Sequence, residues 1–220
     1  MIKKTHLASV LLLSTISIAC NNTTQSESKP LDVSPTNKEI KEQLSQDDLA
    51  LIKQSNLILE KLSTEDTDKV KNELKAFIPQ ALKIKNKKAK NTVLMNIFVQ
   101  SKMYPEALEL TDSMLADHPD NAGTQKFKCL LLKNINRTDQ EIKNCYAITA
   151  SLVKTQLNQI DEMDSLHPYI LWAYYSAMYH AGGDEYKNKL QTIVRTQTDE
   201  NKKNQFESMY EAEMSEQQLP

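Results

Sequence analysis

The sequence predicts an all-α protein whose helices pack in consecutive pairs. Apolar residues recur at helical spacing from Lys38 onward, and prolines and capping residues divide this pattern into short segments. The chain has 3 glycines in 220 residues, where average usage of about 7 % would give roughly 15. Phosphate-binding loops and tight hairpins both need glycine. The sequence therefore disfavours P-loop, dinucleotide-binding and hairpin-rich β folds.

The charge and hydrophobic content exclude two broad classes of protein. Lys and Arg total 27 against 29 Asp and Glu, which gives a net charge of -2. No basic excess therefore points to nucleic acid. Hydrophobic residues make up 40 %, which is enough for a core but too little for a polytopic membrane protein. The length fits about one domain.

Residues 1–19 are predicted to be a signal peptide. Lys3 and Lys4 are followed by an apolar stretch of 12 residues, Leu7 to Ile18. A helix of that length rises about 18 Å, whereas the hydrocarbon core of a bilayer is about 30 Å thick. The stretch therefore suits a cleaved signal better than a membrane span.

The segment Ser17-Ile18-Ala19-Cys20 resembles the lipobox of bacterial lipoproteins, with Ser17 where the family prefers Leu. The resemblance implies cleavage before Cys20 and lipidation of that cysteine by diacylglycerol and a further acyl chain such as palmitate. Several acyl chains anchor a protein stably. Asn21 after the cysteine implies, by the same resemblance, sorting to the outer membrane facing the periplasm. The alternative is a secreted protein with an incidental cysteine.

Residues 20–37 are predicted to be the lipidated cysteine and a flexible tether. The stretch is rich in Ser, Thr, Asn and Pro, and such a composition buries too little surface to offset chain entropy. A tether of this length spans roughly 20–25 Å.

Residues 38–87 are predicted to form N-terminal helices. Ser63 to Asp66 is similar to a capping box that opens a helix, and Pro79 is expected to end or kink it. Asp47-Asp48 is expected to break the preceding helix, and it is interpreted as solvated surface, as is Asp161-Glu162. The lysine-rich stretch 83–90 is interpreted as a solvated turn, with a patch facing anionic lipid headgroups as the alternative.

Residues 91–121 resemble a tetratricopeptide repeat (TPR), a 34-residue helix-turn-helix unit. The matching residues are Leu94, Phe98, Tyr104, Ala107, Leu115 and Pro119. The departures are Asn91 for the family Trp, Met95 for Gly and Lys102 for the turn Gly.

Two further units extend the resemblance over residues 88–202. The second begins at Ala122 and contains a capping box, Thr138 and Glu141, before a helix that looks one turn longer than the family's. The third carries Trp172 at the family's Trp position and Gly183-Asp184 at the turn. Residues 203–220 are expected to form a C-terminal capping helix, which a repeat stack needs for solubility. The resemblance thus implies a TPR-like repeat solenoid with degenerate N-terminal helices.

The family register also places Cys129 and Cys145 at small positions that touch. The resemblance therefore implies a disulfide, since the envelope is oxidising. The alternative is a pair of buried thiols that act as small apolar side chains.

The sequence holds no recognisable chemical site. It lacks Cys-x-x-Cys, His-x-x-x-His and Gly-x-Ser-x-Gly patterns, so we expect no metal, no cofactor and no enzymatic activity.

The remaining candidate for a functional feature is a binding surface on the helices. In the repeat family, the first helix of each unit lines a groove. The resemblance implies a groove for an extended, acidic peptide, because amides satisfy backbone groups and lysines favour negative charge. The alternative is that these are solvated helix residues in a protein that uses another face. The candidate groove residues are Thr92, Asn96, Val99, Gln100, Lys126, Leu130, Lys133, Asn134, Ile170, Ala173, Ala177 and His180.

The function expected from these features is a lipid-anchored, non-enzymatic protein-interaction module of the cell envelope, supporting an assembly complex. The alternative is an inhibitor or immunity lipoprotein that neutralises a periplasmic toxin or hydrolase. A third and weaker alternative is a small envelope enzyme with an unrecognised carboxylate site.

Overall fold

A computed structural model describes residues 44–215 and residue 219, all within one compact unit. The signal peptide (1–19), Cys20, the tether and the first residues of the N-terminal helices lie outside the described residues. Within residues 44–215 no helix is long and apolar enough to cross a membrane. The helices of this part are α1 Gln46–Glu60, α2 Thr67–Ala81, α3 Lys87–Gln100, α4 Tyr104–Asp117, α5 Ala122–Asn134, α6 Asp139–Leu157, α7 His167–His180, α8 Glu185–Thr196 and α9 Glu200–Met214, with a short 3-10 turn at Lys61–Ser63.

Each helix packs mainly against the next one in the chain, and α1 also touches α3. Burial follows this order. Val70, Leu74 and Ile97 are fully buried in a core formed by α1 to α3. Leu190 and Phe206 are fully buried in another core formed by α7 to α9. The described part is helical without strands, so the prediction of an all-α fold is confirmed.

Three helix pairs share the same turn. Lys102 (φ 57°), Asn136 (φ 55°) and Gly182 (φ 105°) each lie two residues after a helix ends, in the left-handed region. In each turn the following N–H donates to the carbonyl five residues back, over 2.7 Å from Met103, 3.0 Å from Arg137 and 3.0 Å from Gly183. This bond satisfies a carbonyl at the helix end. The pairs α3–α4, α5–α6 and α7–α8 are therefore joined in one way, although a glycine stands in the left-handed position of the third alone.

The predicted bounds of α2 were wrong at both ends. The helix begins at Thr67, because the Asp66 carboxylate accepts the Lys69 N–H over 2.9 Å and so caps it. Pro79 does not end the helix, which continues to Ala81. Pro79 lies in the last turn, where its missing N–H costs one bond, and the buried Phe77 and Ala81 on either side hold that turn against the core.

Asp48 does not belong to a solvated surface, which corrects the interpretation of the Asp47-Asp48 pair. Its side chain is 3 % exposed and accepts the backbone N–H groups of Lys85 (2.8 Å) and Asn86 (3.2 Å). The Lys85 bond is the main reason that the pKa of Asp48 lies below its usual value. The pair lies in the first turn of α1, which Ser45 caps at the Asp48 N–H; the helix that the pair was expected to break falls on residues 38–43, outside the described residues. Asp48 thus ties α1 to the turn before α3.

The remaining helix ends follow their caps. The capping box of Thr138 and Glu141 is confirmed, and the helix that it opens has 19 residues against 14 in α4. The last helix begins earlier than the predicted residue 203, because Asp199 accepts the Lys202 N–H over 2.9 Å. It ends at Met214.

Candidate functional site

A cavity of about 490 Å³ opens between α5, α6, α7 and α9. Four predicted groove residues line it, three on α5 and one at the end of α7. They share the cavity with Tyr146 of α6 and Glu213 of α9. The structure therefore brings together part of the predicted groove, namely Lys126, Leu130, Lys133 and His180.

Glu213 is the centre of a polar network in this cavity. Its side chain is 9 % exposed. Its Oε1 accepts the Ser176 hydroxyl over 2.8 Å and lies 2.5 Å from the His180 Nε2. The Lys126 Nζ lies 3.8 Å from the other carboxylate oxygen and donates to the Ser176 Oγ over 3.2 Å. The network connects α9 to both α5 and α7.

The environment of Glu213 favours its charged form. Burial alone would raise its pKa, but the His180 hydrogen bond and the nearby Lys126 and Ser176 outweigh burial and hold the pKa at about 2. His180 is itself stacked on Tyr146, with ring centroids 4.7 Å apart. Burial and the Glu213 charge raise the pKa of the Tyr146 hydroxyl far above its usual value. Glu213 is thus a carboxylate, and Tyr146 a neutral phenol, over the ordinary pH range.

The three residue types of a serine hydrolase meet here, but in the wrong order. A nucleophilic serine must donate to a histidine that a carboxylate orients. In this network Ser176 donates directly to Glu213, and the Ser176 side chain is fully buried. The geometry is that of a carboxylate satisfied by its donors, which fixes α9 against α5 and α7.

A second cavity of about 490 Å³ lies beside the first, and Leu219 forms part of its wall. Lys133 borders both cavities, while Asn134 borders the second. The wall also carries Lys102 and Arg137, against a single carboxylate from Asp139. This cavity is therefore positively charged.

Leu219 is held there through its main chain and its side chain. Its N–H donates to the Asn134 Oδ1 and its carbonyl accepts the Tyr104 hydroxyl, both over 3.2 Å. Its side chain packs against the apolar cluster that contains the buried Val99, Ala107 and Leu131. One predicted groove residue, Asn134, thus accepts a backbone hydrogen bond from a residue 85 positions away in the chain.

The other predicted groove residues lie away from these cavities. Thr92 is exposed, while Asn96, Gln100, Ile170 and Ala173 are half-buried. Val99 is buried within the cluster under Leu219, and Ala177 is fully buried. These last two residues belong to the core, because short or branched side chains at these positions let neighbouring helices approach.

Cys129 and Cys145 are bonded to each other, with Cα atoms 5.5 Å apart. Their side chains are 0 % and 5 % exposed, and they join α5 to α6 under the first cavity. The Gln125 amide donates to the Cys145 sulfur over 3.3 Å. The disulfide holds α5, which carries Lys126, against α6, which carries Tyr146.

Sequence reasoning missed Glu213, Ser176, Tyr146 and Leu219. A signal existed for Glu213. Phe206 is buried, and Glu213 follows it by seven residues, which places both on the same face of α9. A charged residue on the apolar face of a helix is rarely unpaired. No comparable signal marks Leu219, because its partners Tyr104 and Asn134 lie 115 and 85 residues away.

Within the described residues no group of three or more His, Cys, Asp or Glu side chains is arranged to hold a metal ion. Comparison with known protein families, with curated proteins and with solved structures gave no match.

Proposed function

We propose that this protein is a lipid-anchored, non-enzymatic interaction module of the cell envelope, which binds a partner protein through an extended segment. The observation that carries the proposal is the set of contacts that bind Leu219. Asn134 and Tyr104 bind its N–H and its carbonyl, while an apolar floor takes its side chain. Main-chain bonds supply affinity and a side-chain pocket supplies specificity in this mode of recognition.

The repeated turn supports a TPR-like arrangement of the helix pairs. Lys102 and Asn136, the left-handed residues of the first two turns, are 34 positions apart. That is the length of a tetratricopeptide repeat. The third turn follows after a larger gap, since α6 is longer than α4 and a linker of residues 158–166 separates it from α7. Stacked helix pairs form extended binding surfaces.

The charges of the second cavity favour an acidic partner. Lys102, Lys133 and Arg137 border the second cavity. Lys126, in contrast, faces Glu213 and Ser176 within the protein. Lys133 is therefore the better lysine to test, because it borders both cavities and reversing its charge leaves the Glu213 network in place.

The anchoring part of the proposal rests on Cys20 and the lipobox that precedes it. By the family resemblance, the mature protein is attached to the outer membrane and faces the periplasm. A Cys20→Ala variant should lose incorporation of labelled palmitate and leave the membrane fraction. Retention of the label in that variant would contradict the assignment.

The binding part is tested by affinity capture from detergent-solubilised membranes, quantified by mass spectrometry. The variants are Lys133→Glu and the control Lys53→Glu, which changes an exposed lysine on α1. We expect a stoichiometric partner on the wild-type protein and the control, and a recovery reduced about tenfold on Lys133→Glu. Equal recovery on all three proteins would refute the groove as the binding surface.

A further inference from the structure

We infer that the wall of the second cavity, where Leu219 is bound, is a recognition site for a leucine in an extended acidic segment, and that the chain's own Leu219 occupies this site until a partner displaces it. The inference rests on the proposed function and adds a regulatory contact to it. Leu219 would act as an internal competitor.

The cavity selects leucine through its apolar floor. The Leu219 side chain packs against a cluster that α3, α4 and α5 contribute together, with Val99, Ala107 and Leu131 as its buried members. The Leu219 side chain is partly buried in this contact, and the removal of its apolar surface from water favours leucine at this place. A polar residue at this place would lose that contribution and be desolvated as well.

The cavity selects an extended backbone through its two polar contacts. The Asn134 Oδ1 accepts the N–H of Leu219, and the Tyr104 hydroxyl donates to its carbonyl. Both backbone groups of one residue are satisfied from outside its own segment. A leucine within a helix has these groups engaged already, so a helical ligand would not fit.

The positive wall selects for acidic flanking residues. Lys102, Lys133 and Arg137 line the same cavity as Leu219. The chain's own segment has the matching composition, since residues 211–220 read EAEMSEQQLP and include three glutamates. The sequence around Leu219 therefore has the negative charge that the neighbouring cavity favours.

The Glu213 network supplies the tether that keeps this competitor close. Glu213 is held by Ser176, His180 and Lys126, six positions before Leu219. A group tethered by a few residues has an effective concentration in the millimolar range. Even weak intrinsic binding then keeps Leu219 in its site. An external segment binds either with higher intrinsic affinity or when the tether is released.

A labelled synthetic peptide of sequence EAEMSEQQLP tests the inference against the full-length protein, with fluorescence anisotropy as the readout. Leu219→Ala removes the internal competitor. Leu57→Ala is the matched control, because Leu57 is an α1 leucine that is 51 % exposed. A second peptide carries Ala in place of its leucine. Circular dichroism checks that each variant retains its helical content.

We expect the peptide to bind Leu219→Ala at least tenfold more tightly than it binds the wild-type protein or Leu57→Ala. The alanine peptide should lose at least tenfold in affinity for Leu219→Ala. Adding Tyr104→Phe and Asn134→Ala to that variant should weaken binding of the leucine peptide further.

Two results would overturn the inference. Equal affinity of the peptide for the wild type and Leu219→Ala would show that Leu219 is no competitor. No binding to either protein would show that the cavity is no leucine site. Both results are separable from the proposed function, because that function is tested by partner capture with Lys133→Glu.

Discussion

Replacing Glu213 with Gln should destabilise the protein in a pH-dependent way. The glutamine keeps the size of the side chain and removes its charge, while Lys126 and His180 remain beside it. The native pKa of about 2 lies below the ordinary value of 4.5, so the charged form is favoured by folding. The stabilisation is fully present above pH 4.5 and is lost as the pH falls through 2.

The magnitude follows from linkage between proton binding and folding. A shift from 4.5 to about 2 corresponds to about 3 kcal/mol at pH 5 and to roughly half of that at pH 3. The difference in free energy of unfolding between the wild type and Glu213→Gln should therefore shrink by about 2 kcal/mol between these two values.

Urea denaturation at pH 5 and pH 3 measures this difference. Glu211→Gln is the control, because Glu211 is exposed on the same helix. The control should differ from the wild type equally at both pH values. A difference for Glu213→Gln that stays constant between pH 5 and pH 3 would refute the reasoning, since it would mean that Glu213 carries no charge stabilised by folding.

Further predictions concern the disulfide, the shared turn and one buried hydroxyl. Replacing Cys129 and Cys145 together by Ala should lower the free energy of unfolding by about 3 kcal/mol, because the bond closes a loop with a sequence separation of 16; an unchanged urea midpoint would contradict this. Lys102→Gly should stabilise by about 0.5–1 kcal/mol and Gly182→Ala should destabilise by about 1–2 kcal/mol, since both positions have positive φ; thermal melts that move in the opposite directions would refute the shared turn. Ser55→Ala should raise the free energy of unfolding by about 1 kcal/mol, because the Ser55 hydroxyl is buried and has no hydrogen-bond partner among the described residues; a lower melting temperature would be the contrary result.

The sequence predicted those parts of the fold that depend on local chemistry. The start of α6 was predictable because both halves of its capping box, Thr138 and Glu141, lie within one turn. The scarcity of glycine and the helical spacing of apolar residues predicted the all-α class. The prediction that Pro79 ends α2 was wrong, because a proline in the last turn costs little stability when its neighbours are buried.

The candidate site was predictable in part. Lys133 and Asn134 were predicted because the resemblance to TPR units assigns them to the groove, and both line the second cavity. Asp48 and Glu213 were missed as buried carboxylates, since their partners lie 37 and 33 or more positions away in the chain. Contacts at such separations follow from the packing of whole helices; the local pattern marks Glu213 only by its place on the Phe206 face of α9 and does not reveal its partners.

The most direct test of the account is a quantitative capture of partner proteins from solubilised membranes by three proteins: the wild type, Leu219→Ala and Lys133→Glu. We expect Leu219→Ala, which removes the competing leucine side chain, to recover more of the same partner than the wild type, and Lys133→Glu to recover less. Equal recovery by all three would contradict the claim that this cavity is where the protein binds its partner.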